Sequence, residues 1–214
     1  MVFRSIKYRR FSAIFLDLLL LSFLTSLLFN NSISNPRYND YQNYSKEYTE
    51  LITNINIEDY SSPDKVVEFK DKVSTLLYNT QKSNLFYYIW FVVLSILYFV
   101  IFQYSTGGKT LGKKLYGIKV VDSDNKKKIS LSRLIGRTLF AGELFLFDGI
   151  VFTCILNIIG ILLINDSNIY FYYNALINLI GIVFEIVFIV TFFKNKNNET
   201  IADKVFKTKV IDIK

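Results

Sequence analysis

RFSAIFLDLLLLSFLTSLLF, residues Arg10 to Phe29, is the stretch whose reading decides the fold. From Phe11 to Phe29 only Asp17 is ionisable, and no glycine or proline interrupts the run. As a helix, at ~1.5 Å per residue, it is about 28 Å long, close to the ~30 Å hydrocarbon thickness of a bilayer. It is therefore read as a transmembrane span rather than a buried core helix. A cleaved signal peptide has a shorter apolar run of roughly 7–15 residues, and no small-x-small site follows cleanly at Phe29-Asn30-Asn31. A carboxylate at the centre of a span costs roughly 2.5–3.5 kcal/mol on insertion scales, so Asp17 needs a partner, a proton or a task. Arg10 stands two turns earlier on nearly the same face, an axial gap of about 10 Å that a snorkelling side chain shortens.

The rest of the chain repeats this chemistry. Of its 214 residues 51% are hydrophobic, and the 20% that are charged fall in blocks between apolar runs. That is the pattern of a polytopic membrane protein, not of a soluble domain. The net charge of +7 sits beside the spans, where membrane topology accounts for it, so no nucleic-acid partner is expected. There is no histidine, and the one cysteine, Cys154, lies in an apolar run and reads as a small packing residue. No Ser/His/Asp set, metal cluster or cysteine nucleophile is visible. The expectation is a non-enzyme without a cofactor.

The predicted organisation is a cytoplasmic N-terminus and first span over 1–29, an extracytoplasmic loop over 30–84, and a second span over 85–102. A basic segment with a β-hairpin follows over 103–139, then a third span over 140–164, a fourth over 169–193, and a tail over 194–214. In the loop, Ser62-Pro63-Asp64 reads as a helix start, with serine as N-cap and proline at the first helical position. A helical hairpin and a solvated spacer both remain open for this loop. The basic residues set the orientation. Residues 103–139 hold nine Lys/Arg and the tail six Lys, whereas the loop has six basic and eight acidic residues. The positive-inside rule then places both termini in the cytoplasm of a four-helix bundle in the plasma membrane.

The cytoplasmic parts carry β signals. Leu115–Val121 (LYGIKVV) is β-branched and precedes the turn residues Asp122-Ser123-Asp124-Asn125. Val205–Ile213 in the tail reads as a second strand that covers the otherwise open edge, and 126–130 as a returning hairpin strand. Ser130 or Ser132 is expected to cap a helix running through Arg133 and Arg137. Gly107-Gly108-Lys109-Thr110 invites comparison with a phosphate-binding loop, but GxxxxGK[ST] needs a glycine where Gln103 stands. The segment is read as a flexible exit from the second span, with lysines meeting anionic headgroups.

Three segments together resemble the RDD family of bacterial integral membrane proteins: Arg10–Asp17, the Gly108–Val121 run GKTLGKKLYGIKVV with Arg133 and Arg137 downstream, and Asn198–Val210. The resemblance covers 4–29 and 85–214, making a single domain over 4–214 with the loop as an insertion. It implies that Arg10, Asp17 and Asp203 are the arginine and two aspartates for which the family is named. Transport of an unidentified ligand has been suggested for the family, and cation/proton antiport is claimed for some members. Lys207 stands where the family has a glycine before the tail's Thr-x-Val.

Counting inward from the cytoplasmic ends puts Asp17, Asp148 and Glu185 at depths of about 9, 12 and 12 Å, one layer of the inner leaflet. The functional reading is a site for a proton or a monovalent cation built from these three acids with Arg10 and Arg137, since clustered carboxylates in low dielectric cannot all ionise. The structural reading pairs Asp17 with Arg10 or Arg137 and keeps the other acids neutral. Transport through four spans implies a homo-oligomer. The competing function is a non-transporting scaffold or assembly factor that binds protein partners. The bilayer's anionic headgroups at the basic cytoplasmic face are a partner under either reading.

Overall fold

The computed structural model describes residues 5–55, 62–124, 128–141, 150–194 and 199–213. The chain is mostly helical. Helix α1 is Ile6–Phe29, α2 Tyr38–Thr53 and α3 Pro63–Ser83. Helix α4, Leu85–Ser95, continues through the π-helical turns Ile96–Phe102 to Ser105. Then come α5 Leu111–Leu115, β1 Ile118–Asp122, and α6 Leu131–Gly136, which runs on through π-helical Arg137–Ala141. Helices α7 Ile150–Leu163, α8 Ser167–Lys194 and α9 Ile201–Val205, with strand β2 Thr208–Asp212, complete it.

Among the described residues, three helical stretches are long and apolar enough to cross a membrane: Ile6–Phe29, Leu85–Ser105 and Ser167–Val187. The second span therefore runs three residues beyond the expected end at 102. The expected third span at 140–164 is described only in part. Helix α7 has 14 residues, and 142–149, with Glu143 and Asp148, lie outside the described residues.

The chain divides into two compact units, one of Met1–Thr25, Phe91–Cys154 and Leu179–Lys214, the other of Ser26–Trp90 and Ile155–Asn178. In the second unit, the described residues of 30–84 form α2 and α3, which pack on each other. Ser62 accepts from the Lys65 N–H with Pro63 at the head of α3, as its sequence predicts. Asn35 is buried and its amide donates to the Phe29 carbonyl, closing the C-terminus of α1. The Phe29 ring packs edge-on against Tyr38, Tyr41 and Tyr87. Asp166 caps α8, its carboxylate accepting from the N–H groups of Asn168 and Ile169.

The first unit holds the sheet. Strands β1 and β2 pair antiparallel with Val120 opposite Val210, so the tail covers the open edge as expected. Both strands are shorter than predicted, because 115 and 205 end the short helices α5 and α9. Of the expected returning strand, residues 126 and 127 lie outside the described residues, and Lys128 makes an isolated bridge to Val121. Ile118, Val120 and Val210 pack with Ala13 of α1, Val100 of α4, Ile129 and Leu134 in one apolar cluster.

A repeat organises this unit. Thr110–Asp122 (TLGKKLYGIKVVD) and Thr200–Asp212 (TIADKVFKTKVID) share Thr, two Lys, Val and Asp at matching positions. Each begins with a threonine N-cap that accepts from the backbone N–H three residues on. Each passes through a left-handed residue, Gly117 at φ 64° and Lys207 at φ 49°, into its strand. Val120 and Val210 are equivalent and face each other, so a local dyad passes between them. The flanking bonds obey it. Ser123 N–H donates to the Lys207 carbonyl and Ile213 N–H to that of Gly117. Arg133 pairs with Asp122, and Arg9 with Asp212. Lys207 thus takes a left-handed conformation that favours glycine, at a steric cost of roughly 1–2 kcal/mol.

Candidate functional site

Helix α1 presents two opposite faces. Phe11, Phe15, Leu19, Phe23 and Leu27 are exposed along one row. Arg10, Ala13, Ile14, Asp17, Leu18 and Leu21 are buried along the other. The polar pair thus faces protein and the phenylalanines face outward, the arrangement of a helix whose solvent is lipid.

Among the described residues no hydrogen bond or ion pair joins Arg10 to Asp17. Arg10 Nη2 donates to Asp203 Oδ2 at 2.8 Å, and Arg137 Nη1 donates to Asp203 Oδ1. The pairing of Asp17 with Arg10 or Arg137 is thereby corrected: the tail carboxylate outcompetes it because α9 brings Asp203 to both guanidiniums directly. Asp203 is also the third helical residue of α9. Its carboxylate accepts from the Thr200 N–H at 2.8 Å while Thr200 Oγ1 accepts from the Asp203 N–H, a capping box. Thr208 adds a hydroxyl at 3.1 Å. Burial alone would push this carboxyl up, but the guanidiniums of Arg137 and Arg10 and the Thr200 N–H outweigh it and hold it well below the usual carboxylate range. The group is a permanent anion with its acceptor positions occupied, and it closes the tail onto α1 and α6.

Asp17 has a different set of partners. Oδ1 accepts from Tyr98 Oη at 2.5 Å and from the Gly112 N–H at 2.8 Å, and Oδ2 accepts from Thr110 Oγ1 at 2.5 Å. Tyr98 comes from the π-helical turns of α4, and its hydroxyl also accepts from the Leu111 N–H at 3.0 Å. Lys113, on the inner side of α5, acts on Asp17 through its charge. With the Gln103 amide oriented by its neighbours, Lys113 Nζ donates to Gln103 Oε1 at 3.0 Å, and the Gln103 amide donates to the Phe99 carbonyl at 3.0 Å. Asp17 is 1% exposed and Lys113 2%, so water does not screen this pair.

Glycine makes the approach possible. A Cβ on Gly112 would strike the Ala13 carbonyl and press on the Asp17 carboxylate. A Cβ on Gly108, at φ 91°, would strike the Val120 carbonyl. The exit from the second span is therefore a fitted turn rather than the flexible linker expected from its sequence.

Of the five residues expected at one ion site, the structure brings Arg10 and Arg137 to Asp203. Glu185 is half-exposed on α8, and among the described residues no hydrogen bond or ion pair joins it to Asp17. Asp148 lies outside the described residues. Among the described residues no group of three or more His, Cys, Asp or Glu side chains stands together to hold a metal ion. Sequence reasoning missed Tyr98, Gln103, Thr110 and Lys113. The signal that points to them is the repeat: Thr110 and Lys113 occupy the positions of Thr200 and Asp203, so a basic residue stands in one copy where an acid stands in the other.

Compared with known protein families, residues 7–168 match the RDD family. Asp203 and the rest of the tail lie beyond the matched residues. No curated protein and no solved structure matches the chain.

Proposed function

The chain belongs to the RDD family, and from that premise we propose that it is a four-span plasma-membrane protein, both termini cytoplasmic, that exchanges a monovalent cation for a proton at Asp17. The observation that carries this reading is the buried Asp17–Lys113 pair beside the π-helical turns of α4. Ionisable groups inside a span are costly and mark ion or proton pathways, and π-helical turns recur at functional sites. The charge balance is simple. A monovalent cation arriving at the Asp17 carboxylate makes the Lys113 ammonium redundant, and loss of its proton restores the site to its former charge. One cation in then drives one proton out.

Purified protein in liposomes tests this. A pH gradient should drive uptake of sodium or potassium by the wild type, and the variant carrying both Asp17→Asn and Lys113→Gln should be silent. Absence of gradient-driven flux in the wild type rejects the reading.

A scaffold or assembly role is the second reading. It is favoured by the Arg10–Asp203–Arg137 cluster, in which two of the residues that name the family serve to hold the tail and leave no acceptor for an ion. It expects no flux from any variant, with substitutions at these positions changing stability alone.

A further inference from the structure

Helix α5 is seated on the apolar stretch of α1, not on its cytoplasmic end. Its Gly112 N–H reaches Asp17, and Gly112 lies against the Ala13 carbonyl. Ala13 and Asp17 are flanked on the outer row of α1 by the exposed Phe11, Phe15 and Leu19. A helix docked at that level stands where the span passes from hydrocarbon to headgroups. Yet α5 turns Leu111, Lys114 and Leu115 outward, Leu115 being 76% exposed.

Helix α9 does the same. It packs on Arg137–Ala141, buries Ala202 and Asp203, and turns Lys204 and Val205 outward, Val205 being 64% exposed. The repeat thus presents a Lys followed by an aliphatic residue at equivalent, exposed positions, where packing of the interior does not require them. The acids of this element are already engaged: Asp122 by Arg133, Asp212 by Arg9, Glu199 by Lys209, and Asp203 by two arginines. The surplus charge around the exposed lysines is positive. A short amphipathic helix with an aliphatic side chain beside a lysine is suited to the headgroup layer, where the apolar part enters the acyl boundary and the ammonium stays among phosphates.

We propose that α5 and α9 are interfacial helices forming two dyad-related sites for anionic phospholipid, with Leu115 and Val205 immersed and Lys114 and Lys204 binding the headgroup phosphates. This is independent of whether Asp17 exchanges ions.

The full chain in phosphatidylcholine nanodiscs, with and without phosphatidylglycerol, provides the test. Phosphatidylglycerol should raise the melting temperature of the wild type. Lys114→Gln and Lys204→Gln should each remove about half of that rise and the double variant most of it, while Lys46→Gln in α2 leaves it intact. No rise in the wild type, or a full rise in the double variant, overturns the proposal. Spin labels at Leu115→Cys and Val205→Cys, in a Cys154→Ala background, give a second measurement that leaves the lysines untouched. Both labels should collide more with oxygen than with a water-soluble nickel complex. The reverse order would place these helices in water and overturn the proposal on its own.

Discussion

Arg10 and Asp203 stand 193 positions apart in the chain and 2.8 Å apart in space, and Arg137 reaches the same carboxylate from a third segment. Two buried guanidiniums therefore share this anion. Asp203→Asn removes this anion from both guanidiniums, and breaking a buried ion pair on one side costs about 3–5 kcal/mol. The expected result is a large drop in melting temperature and protease cleavage in the released tail. A variant as stable as the wild type would show that the cluster does not hold the tail.

The same carboxyl sets an acid limit. Its folded value lies well below the ordinary carboxylate value of about 3.9. A depressed folded value contributes stability that is fully present above the unfolded value and is lost as pH falls through the folded one. The stability gap between wild type and Asp203→Asn should therefore be constant above about pH 5 and narrow only below about pH 4. Melting curves of both proteins from pH 7 to pH 3 check this. A gap that closes near neutral pH would contradict the saturated environment of Asp203.

Gly112→Ala separates docking from charge. The added methyl meets the Ala13 carbonyl, which belongs to a helix backbone and cannot step aside. Overpacking of this kind costs about 1–3 kcal/mol, and here it also lengthens the bond from the Gly112 N–H to Asp17. The equivalent position in the second copy is Ala202, which is fully buried and already carries a methyl. Ala202→Gly should cost less, roughly 1 kcal/mol, from backbone entropy and a small void. Equal effects on melting temperature would show that the two short helices are seated alike.

The orientation has a direct check. Ser45→Cys in α2, in the Cys154→Ala background, should react with an impermeant thiol reagent on intact cells, and Asn125→Cys should be protected. Labelling of Asn125→Cys from outside would overturn the proposed topology.

Some of this structure was legible in the amino-acid order and some was not, for identifiable reasons. The Ser62 cap and the pairing of the tail with the 118–122 strand follow from local turn chemistry and β-branched runs. The three spans found among the described residues follow from their apolar runs. The rotation of α1 does not, because which face of a helix carries Asp17 inward depends on what packs there. Lys113 and Lys114 are identical neighbours in sequence. Only the seating of Gly112 on α1 buries the first and exposes the second. The segments 111–115 and 201–205 were hidden by the β-branched residues that follow them, although Thr110 and Thr200 are N-caps at matching positions in the two copies. The internal repeat marks both helices and the lysine whose charge acts on Asp17.

That lysine changes how Asp17 is best tested. Asp17→Asn alone relieves the bilayer of one charge but takes the carboxylate from the buried Lys113 ammonium, and Lys113→Gln alone takes the ammonium from the carboxylate. Each single variant should lose about 3–5 kcal/mol. Both substitutions together leave neutral groups that still hydrogen-bond. The introduced asparagine oxygen, in the place of Oδ1, still accepts from Tyr98 and Gly112, and the introduced glutamine amide donates to Gln103. The double variant should therefore be more stable than either single one, and a double-mutant cycle should give a coupling well above the ~0.5 kcal/mol noise of additivity. Melting temperatures in one lipid composition measure it. Additive losses would mean that Lys113 and Asp17 do not act on each other. A strong coupling fixes the pair, and flux through the stable double variant then reports on ion handling without the confusion of an unfolded protein. Wild-type flux lost in that variant supports exchange at Asp17; wild-type flux that persists there moves the ion path elsewhere.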